Sequence, residues 1–375
     1  MFSLQRFGGI SRIFIELMRE LSKKPDCGIH WFRGCHVDEY KIKDFCPRLQ
    51  RYQGFQEPAL FRRFVGKHRQ KLNGSIFSLF TRQFAGGYDI YHPTYYDDSL
   101  LGSARAKRMA VTICDMIPEK FLFSTSSGKK LIETKRNIIH RADLIFVISA
   151  STRNDLVELL GVTESKIRVI SLGSRMDEVK AVTLDPRLFQ KPFFLYVGTR
   201  SKYKNFEILM RAFALSERLK SDFQVVCFGG SAPFLSPELV FMKENGILDN
   251  FIYLNGSDAL LKGLYGKAKA LVYTSRYEGF GLPLLEAMEC GCPVVCCRVS
   301  SIPEVTGPAA LFFDPDSPEE LASCMQKIVQ DSSLRNTMIG QGLDRAKEFS
   351  WEKTASAVWN GYQELAGLSY EIARG

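Results

Sequence analysis

The stretch Thr274-Ser-Arg-Tyr-Glu-Gly-Phe-Gly-Leu-Pro-Leu-Leu-Glu-Ala-Met-Glu-Cys-Gly-Cys-Pro293 decides how the chain is read. It follows an apolar, strand-like run, Ala270-Leu-Val-Tyr273. It passes into a helix-like run that begins near Leu282 and that Gly291 and Pro293 close. Strand, glycine-bearing turn and helix, in that order, hold ligands at the carboxyl ends of strands in open α/β sheets. Two carboxylates bracket the turn: Glu278 at its start and Glu286 eight residues on, inside the helix. Gly279 and Gly281 let the backbone approach a ligand closely. The N–H groups after Gly281 stand at a helix N-terminus, where anions bind. The plain alternative is a strand–turn–helix corner with two solvated glutamates.

Outward from this corner the same rhythm repeats. Tyr88–Thr94 reads as a strand ending at a His-Pro turn, and Lys107–Pro118 as a second strand ending at Asp115 and Pro118. Ala142–Ser149 is a strand opening into a helix, 151–160, which Ser151 or Thr152 caps and Gly161 ends. Phe193–Gly198 is a short apolar strand, followed by the basic turn Thr199–Asn205 and a helix over Phe206–Leu219. Phe223–Gly230, Phe251–Gly256 and Pro293–Cys297 are further strands, and helices follow over Glu319–Val329 and from Ser350-Trp351 onward. Alternating β and α elements predict parallel sheets with helices on both faces. Near the N-terminus, Ile13, Leu17 and Leu21 recur at helical spacing after Gly8-Gly9, with Ser11 as the candidate cap. Residues 174–191 carry mixed charge without a clear period and are read as the linker between two domains.

At 375 residues the chain has room for two domains with ample core. No run approaches the roughly 18 to 20 apolar residues that span a bilayer, and Arg6 with the glycines interrupts any signal-like core at the start. Ten cysteines without export read as reduced, small core hydrophobes. Cys290-x-Cys292 and Cys296-Cys297 raise a metal, but the spacing departs from C-x2-C and the adjoining Pro-Val-Val reads as a buried strand. Asp97-Asp98 and Asp314-x-Asp316 read as solvated turn residues, so no metal site is expected.

The net charge of +9 is uneven, with 30 Lys and Arg against 20 Asp and Glu in residues 1–185. Residues 48–82 hold eight of those cations and one acid, with Phe61, Phe64 and Val65 between them. Such a segment fits an anionic membrane surface or a phosphorylated acceptor, and equally a solvated helix face. Nucleic acid is a poorer match, since no binding motif accompanies the charge. No G-x-G-x-x-G follows a first strand, which argues against a dinucleotide enzyme.

The spacing of Glu278 and Glu286 resembles the E-x7-E pattern of retaining glycosyltransferases with two Rossmann-like domains. Glu-Gly-Phe-Gly-Leu-Pro is the wording usual in glycosyltransferase family 4. The resemblance implies the GT-B fold: two domains with parallel sheets facing across a cleft and a C-terminal helix crossing back to the first. The expected division is 1–180 for the acceptor domain, 190–350 for the donor domain and 351–375 for the returning helix. It also implies roles. Glu286 would hold the donor's ribose, and Glu278, with the backbone of Gly279, Phe280, Gly281 and Leu282, would hold its sugar. Lys204 would hold the diphosphate, joined by Arg200 and the Gly8-Gly9 backbone, with Gly256 flanking the base. Asp115, with Glu278 and Lys204, makes up the expected catalytic set.

The chain departs from the family in three places. Cys114 stands where the histidine of His-Asp-x-x-Pro faces the donor sugar, with His92 the candidate substitute. Thr199 stands where many members carry arginine. Almost nothing precedes Gly8-Gly9, so the first strand is missing or the natural chain begins upstream.

The expected function is transfer of a sugar from a nucleotide-diphosphate sugar to a glycan or lipid-linked acceptor in cell-surface polysaccharide synthesis. Configuration would be retained, with no metal and no cofactor. The Gly-Gly-Ile-Ser-Arg and Val-Gly-Thr wording resembles mannosyltransferase-like members, which points to GDP-mannose. The alternatives are a soluble acceptor, as in sucrose or trehalose synthases, and a binding scaffold without activity. The expected place is the cytoplasm, peripheral on the inner face of the plasma membrane.

Overall fold

The computed structural model describes residues 9–36, 51–56, 87–96, 106–230 and 233–367. Internal contacts divide the chain into two compact units, Met1–Leu172 with Trp351–Gly375, and Gly173–Ser350. Among the described residues no helix is long and apolar enough to cross a membrane. Most of the basic segment 48–82 lies outside them.

The first unit contains α1 (Gly9–Leu21), β1 (His30–His36), β2 (Arg51–Gln56), β3 (Tyr88–Tyr91), β4 (Ala106–Ile113), α2 (Ile117–Phe121), α3 (Ser126–Arg141), β5 (Leu144–Val147), α4 (Ala150–Leu160) and β6 (Ile167–Val169). Strands β3-β4-β5-β6 form a parallel sheet in that order, and β1 and β2 pair separately, also in parallel. The stripe Ile13, Phe14, Leu17 and Leu21 buries one face of α1. Ser11 is buried inside that helix, so it is not the cap expected. At α4 the cap is Ser149, whose hydroxyl accepts from the Thr152 N–H at 3.0 Å, and not Ser151 or Thr152. The backbone is still extended at Ser149 and already helical at 151, and only an extended residue can turn its side chain back on the first turn. Gly161 ends the helix in the left-handed region at φ 63°.

The C-terminal helix Trp351–Leu365 belongs to this first unit and packs on α1 and β5. Its contact with the sheet is flush because Gly361 has no side chain. A β-carbon there would stand 2.7 to 2.9 Å from the Phe146 ring and Leu144 Cδ2. Thr354 Oγ1 donates to the Ser171 carbonyl at 2.6 Å, and Arg168 pairs with Glu364 at 2.5 Å.

The second unit runs β7 (Phe193–Val197), α5 (Phe206–Ala214), α6 (Glu217–Asp222), β8 (Gln224–Phe228), α7 (Ser236–Glu244), β9 (Phe251–Leu254), α8 (Asp258–Lys267), β10 (Leu271–Tyr273), α9 (Leu282–Glu289), β11 (Val294–Cys297), α10 (Ile302–Thr306), β12 (Ala310–Phe313), α11 (Pro318–Gln330) and α12 (Ser332–Ala346). Its strands are parallel, in the order β12-β11-β10-β7-β8-β9. Phe194, Phe213, Val225, Val272, Val295 and Met325 are among the residues of its core. Cys292, Cys296 and Cys297 are buried with them, and burial pushes the Cys292 and Cys297 thiols up to about 12, which keeps them protonated.

Three sequence expectations change here. The single helix over Phe206–Leu219 is two, because Ser216 leaves the helical conformation and caps α6 by accepting from the Leu219 N–H at 3.2 Å. Helices α7 and α12 were not read because they bury little: Glu238 and Met242 in one, Met338 and Gly342 in the other. Neither has an apolar stripe to betray it. Residues 174–191 are not a free linker. Met176 is fully buried and donates its N–H to Glu289 Oε2 at 3.0 Å, and the Val182 N–H reaches the Ala259 carbonyl at 3.2 Å.

Candidate functional site

The order of the second sheet places the site. From β7 the chain runs outward to β8 and β9, then crosses back to lay β10 against the other side of β7. At such a reversal the loops after the two central strands diverge and leave a crevice at the carboxyl end of the sheet. The loop after β7 carries Lys204, and the loop after β10 carries Glu278.

Lys204 ends a 3₁₀ turn, Lys202–Lys204, and Asn205 then takes the left-handed conformation at φ 53° to start α5. The two loops are stitched together. Thr274 Oγ1 donates to the Lys204 carbonyl at 2.7 Å, and the Arg276 N–H donates to the Tyr203 carbonyl at 2.8 Å. Held this way, Lys204 Nζ lies 2.5 Å from Glu278 Oε1, with only 16% and 10% of the two side chains exposed. The ammonium also sits 5.5 Å from the ring centres of both Tyr203 and Tyr273. Burial, and then the Glu278 carboxylate beside it, hold the Tyr273 hydroxyl well above its usual range, so it remains a donor.

The turn after Glu278 is fixed by two serines from the loop after β11, which no motif in the sequence marks. The Glu278 N–H donates to Ser300 Oγ at 2.9 Å, and Ser301 Oγ donates to the carbonyls of Glu278 and Phe280 at 2.9 and 3.0 Å. Ser300 does this from φ 46°, a conformation rare outside glycine. Phe280 is buried edge-on to Phe349, with ring centres 5.9 Å apart. Gly281 precedes α9 at φ 100°, which a side chain would resist. No side chain caps α9 and no acid lies in its first turn, so Leu282 begins a helix end suited to an anion.

Glu286 is one helical turn further on and 5% exposed. The Tyr265 hydroxyl donates to its Oε2 at 3.1 Å, which sets the carboxylate's orientation. Burial and then Glu286 hold that tyrosine's pKa far above normal.

Other candidates are placed differently. Arg200 is already occupied. Its Nε meets both Glu238 oxygens at 3.2 Å, its Nη2 donates to the Pro233 carbonyl at 2.7 Å, and its guanidinium lies 5.2 to 5.7 Å from the ring centres of Phe206, Phe234 and Tyr253. These contacts tie Arg200 to the segment that leads into α7. Gly256 lies in the exposed loop after β9, beside Leu260. Asp115 and Gly9 belong to the first unit, and Gly8 lies outside the described residues. Gly279 sits in the buried turn between Glu278 and Gly281.

His92 does not replace the missing histidine. Its ring stacks on Phe146 and meets Phe14 and Tyr362 edge-on. Both nitrogens are used, Nδ1 with the Tyr362 hydroxyl at 2.6 Å and Nε2 with Thr112 Oγ1 at 2.9 Å. Desolvation pulls its pKa from 6.5 down to about 3. The unfolded chain therefore takes up this proton near pH 6.5 and the folded chain only near pH 3. Its stabilising contribution is complete above pH 6.5 and is lost as pH falls through that window, by up to ~1.4 kcal/mol per pH unit. The melting temperature of the wild type is expected to fall between pH 6.5 and 4.5 more steeply than that of His92→Gln. Parallel slopes would show that His92 is not the group responsible. Cys114, in the vacant histidine's place, is buried, and burial pushes its thiol up to about 12.

Two family models match the chain. Residues 7–177 match the model described as Glycosyltransferase Family 4, and residues 186–345 match the one described as Glycosyl transferases group 1. The O-antigen chain mannosyltransferase B of Escherichia coli is 33% identical over 233 residues, which cover 60% of this chain and 61% of that protein. The serotype-specific mannosyltransferase WbdA of Escherichia coli is 28% identical over 284 residues, covering 71% of this chain and 34% of that one. The chain thus spans about three fifths of one relative and about a third of the other. Among solved structures, Anabaena HepE in complex with UDP and glucose superposes with a TM-score of 0.70 at 16% identity, over 95% of this chain and 96% of that one. That likeness is one of fold.

Proposed function

The chain belongs to glycosyltransferase family 4, and from that membership we propose that it transfers a sugar from a nucleotide-diphosphate sugar to a glycan or lipid-linked acceptor in cell-surface polysaccharide synthesis. The observation that carries the reading is the Lys204–Glu278 pair at the reversal of the second sheet, 2.5 Å apart, with Glu278 on the turn that leads into the uncapped α9. A cation, a carboxylate and a helix N-terminus are what a diphosphate joined to a polyhydroxyl ring requires.

In this reading Lys204 meets the charge that develops on the leaving diphosphate, and no divalent ion is needed. Glu278 accepts hydrogen bonds from sugar hydroxyls, and Glu286, oriented by Tyr265, accepts from the ribose. The acceptor oxygen attacks the anomeric carbon on the face from which the phosphate leaves. Its proton passes to the departing phosphate oxygen, and configuration is retained. Mannose as the sugar is supported by the names of the two mannosyltransferase relatives, and GDP is the carrier expected with it. A donor built on a nucleoside diphosphate is also supported by the UDP of the HepE complex. Peripheral attachment to the inner membrane face through residues 48–82 goes with a lipid-linked acceptor.

A melting screen with GDP-, UDP-, ADP- and TDP-sugars tests this directly. One nucleotide class should raise the midpoint by about 5 °C at a hundredfold excess over its Kd. If no nucleotide raises it, the reading fails. Slow release of free sugar from the bound donor then separates an enzyme from a protein that only binds.

A further inference from the structure

The end of β4 in the first unit is held by a buried cation that the reaction outlined above does not use. Lys135, on α3, is completely shielded from solvent. Its Nζ donates to the Asp115 carbonyl at 2.7 Å and to Glu119 Oε2 at 2.9 Å, and it lies 3.6 Å from Met116 Sδ. It also faces the Tyr96 ring, 5.3 Å from its centre. An ammonium has three protons to donate, and here all three have acceptors within the protein. It therefore has nothing left to offer a substrate and must act through what it holds.

What it holds is the turn carrying Asp115. The Cys114 N–H donates to the Tyr96 hydroxyl at 3.2 Å, and Asp115 Oδ1 accepts from the Ile117 N–H at 3.0 Å, closing the turn into α2. Lys135 adds the third tie, from inside the unit. Glu119 brings the charge that lets a lysine be buried at all, yet its Oε1 is buried with no hydrogen-bond partner among the described residues. A carboxylate serving stability alone would gain from having both oxygens satisfied. Here one oxygen is given to the lysine and the other is left unmatched.

We propose that Lys135 is a positioning residue, whose ammonium, paired with Glu119, sets the turn at the end of β4 and with it the place of Asp115. The proposal rests on the reading that Asp115 works at the substrate, as that strand end is where parallel sheets meet their ligands.

The test replaces the buried pair by an apolar one, Lys135→Met with Glu119→Met, because the single Lys135→Met would strand a buried carboxylate and unfold. The folded double variant should lose about ten- to a hundredfold in kcat, since small misplacements near reacting atoms cost that much. Its donor KM should move by less than about twofold, because Lys204, Glu278 and Glu286, the candidates for the donor's diphosphate, sugar and ribose, lie on the second unit. Hydrogen exchange at the Cys114 and Ile117 amides should quicken about tenfold or more. A folded double variant with the wild-type kcat, or with wild-type exchange at those amides, would overturn the proposal.

Glu119→Gln, which removes the charge that lets Lys135 be buried as an ammonium, should lower kcat and quicken exchange at the same two amides, in the same direction as the double variant. A folded Glu119→Gln with wild-type kcat and wild-type exchange at those amides would overturn the proposal, whether or not the double variant folds. If the wild type transfers no sugar at all, the exchange measurement still decides on Lys135, and only the reading of function is lost.

Discussion

Glu278→Gln is expected to lower sugar transfer by roughly 10²- to 10³-fold, the scale on which one preorganised polar contact to a reacting centre counts. The substitution keeps the shape of the side chain and its buried place, so the Ser300 and Ser301 contacts, which involve only the backbone of Glu278 and Phe280, remain. The effect on binding should run the other way. Lys204 is paired with Glu278 at 2.5 Å. A diphosphate must draw the ammonium off that carboxylate before using it. With glutamine in place the competition disappears, and the Kd for the nucleoside diphosphate should hold steady or tighten while kcat falls. A variant that simply unfolds would lose both. Calorimetry alongside a transfer assay separates the cases, and unimpaired transfer would remove Glu278 from the site.

Lys204→Ala is expected to weaken the nucleoside diphosphate about 30-fold or more. Truncating one partner of a buried pair costs about 2 to 5 kcal/mol, and 2 kcal/mol is about 30-fold. Two causes add. The diphosphate loses its charge-assisted bond, and it meets Glu278 as an uncompensated like charge in a site where both side chains are mostly buried. The nucleoside without phosphates should bind as it does to the wild type, since Tyr265 and Glu286 are untouched. An equal loss for nucleoside and diphosphate would mean that the loop had collapsed, and no loss for either would take Lys204 out of the site.

Much of the fold could be read from the chain because its signals are local. A strand such as Phe193–Val197, buried along its whole length, is apolar along its whole length as well. Gly161 and Gly281 stand where the backbone turns to positive φ. Elements that bury little left no such mark, which is why α7 and α12 escaped notice. The cap of α4 was misplaced by two or three residues because Ser149, Ser151 and Thr152 carry the same chemistry. Backbone conformation alone separates them.

The site divides along the same line. Glu278 and Glu286 were legible because eight residues of one strand–turn–helix corner carry both, and Lys204 because it ends a basic turn before a helix. Their partners come from far along the chain. Ser300 and Ser301 reach back over 22 or 23 residues, Tyr265 over 21, and Lys204 meets Glu278 across 74. The surroundings of Arg200 and His92 are hidden in the sequence for the same reason. A string of residues does not show that Glu238 and three rings enclose one, or that Tyr362, 270 residues away, takes a nitrogen of the other.

By itself, then, the sequence determined the class of fold, the corner Thr274–Pro293 and the kinds of group gathered there, because hydrophobic period, glycine and charge act within a few residues. The tertiary structure alone decided which of those groups face one another. The strand order β12-β11-β10-β7-β8-β9 puts the ends of β7 and β10 side by side, and that adjacency, a property of the sheet and of no single segment, turns a lysine and a glutamate into a pair.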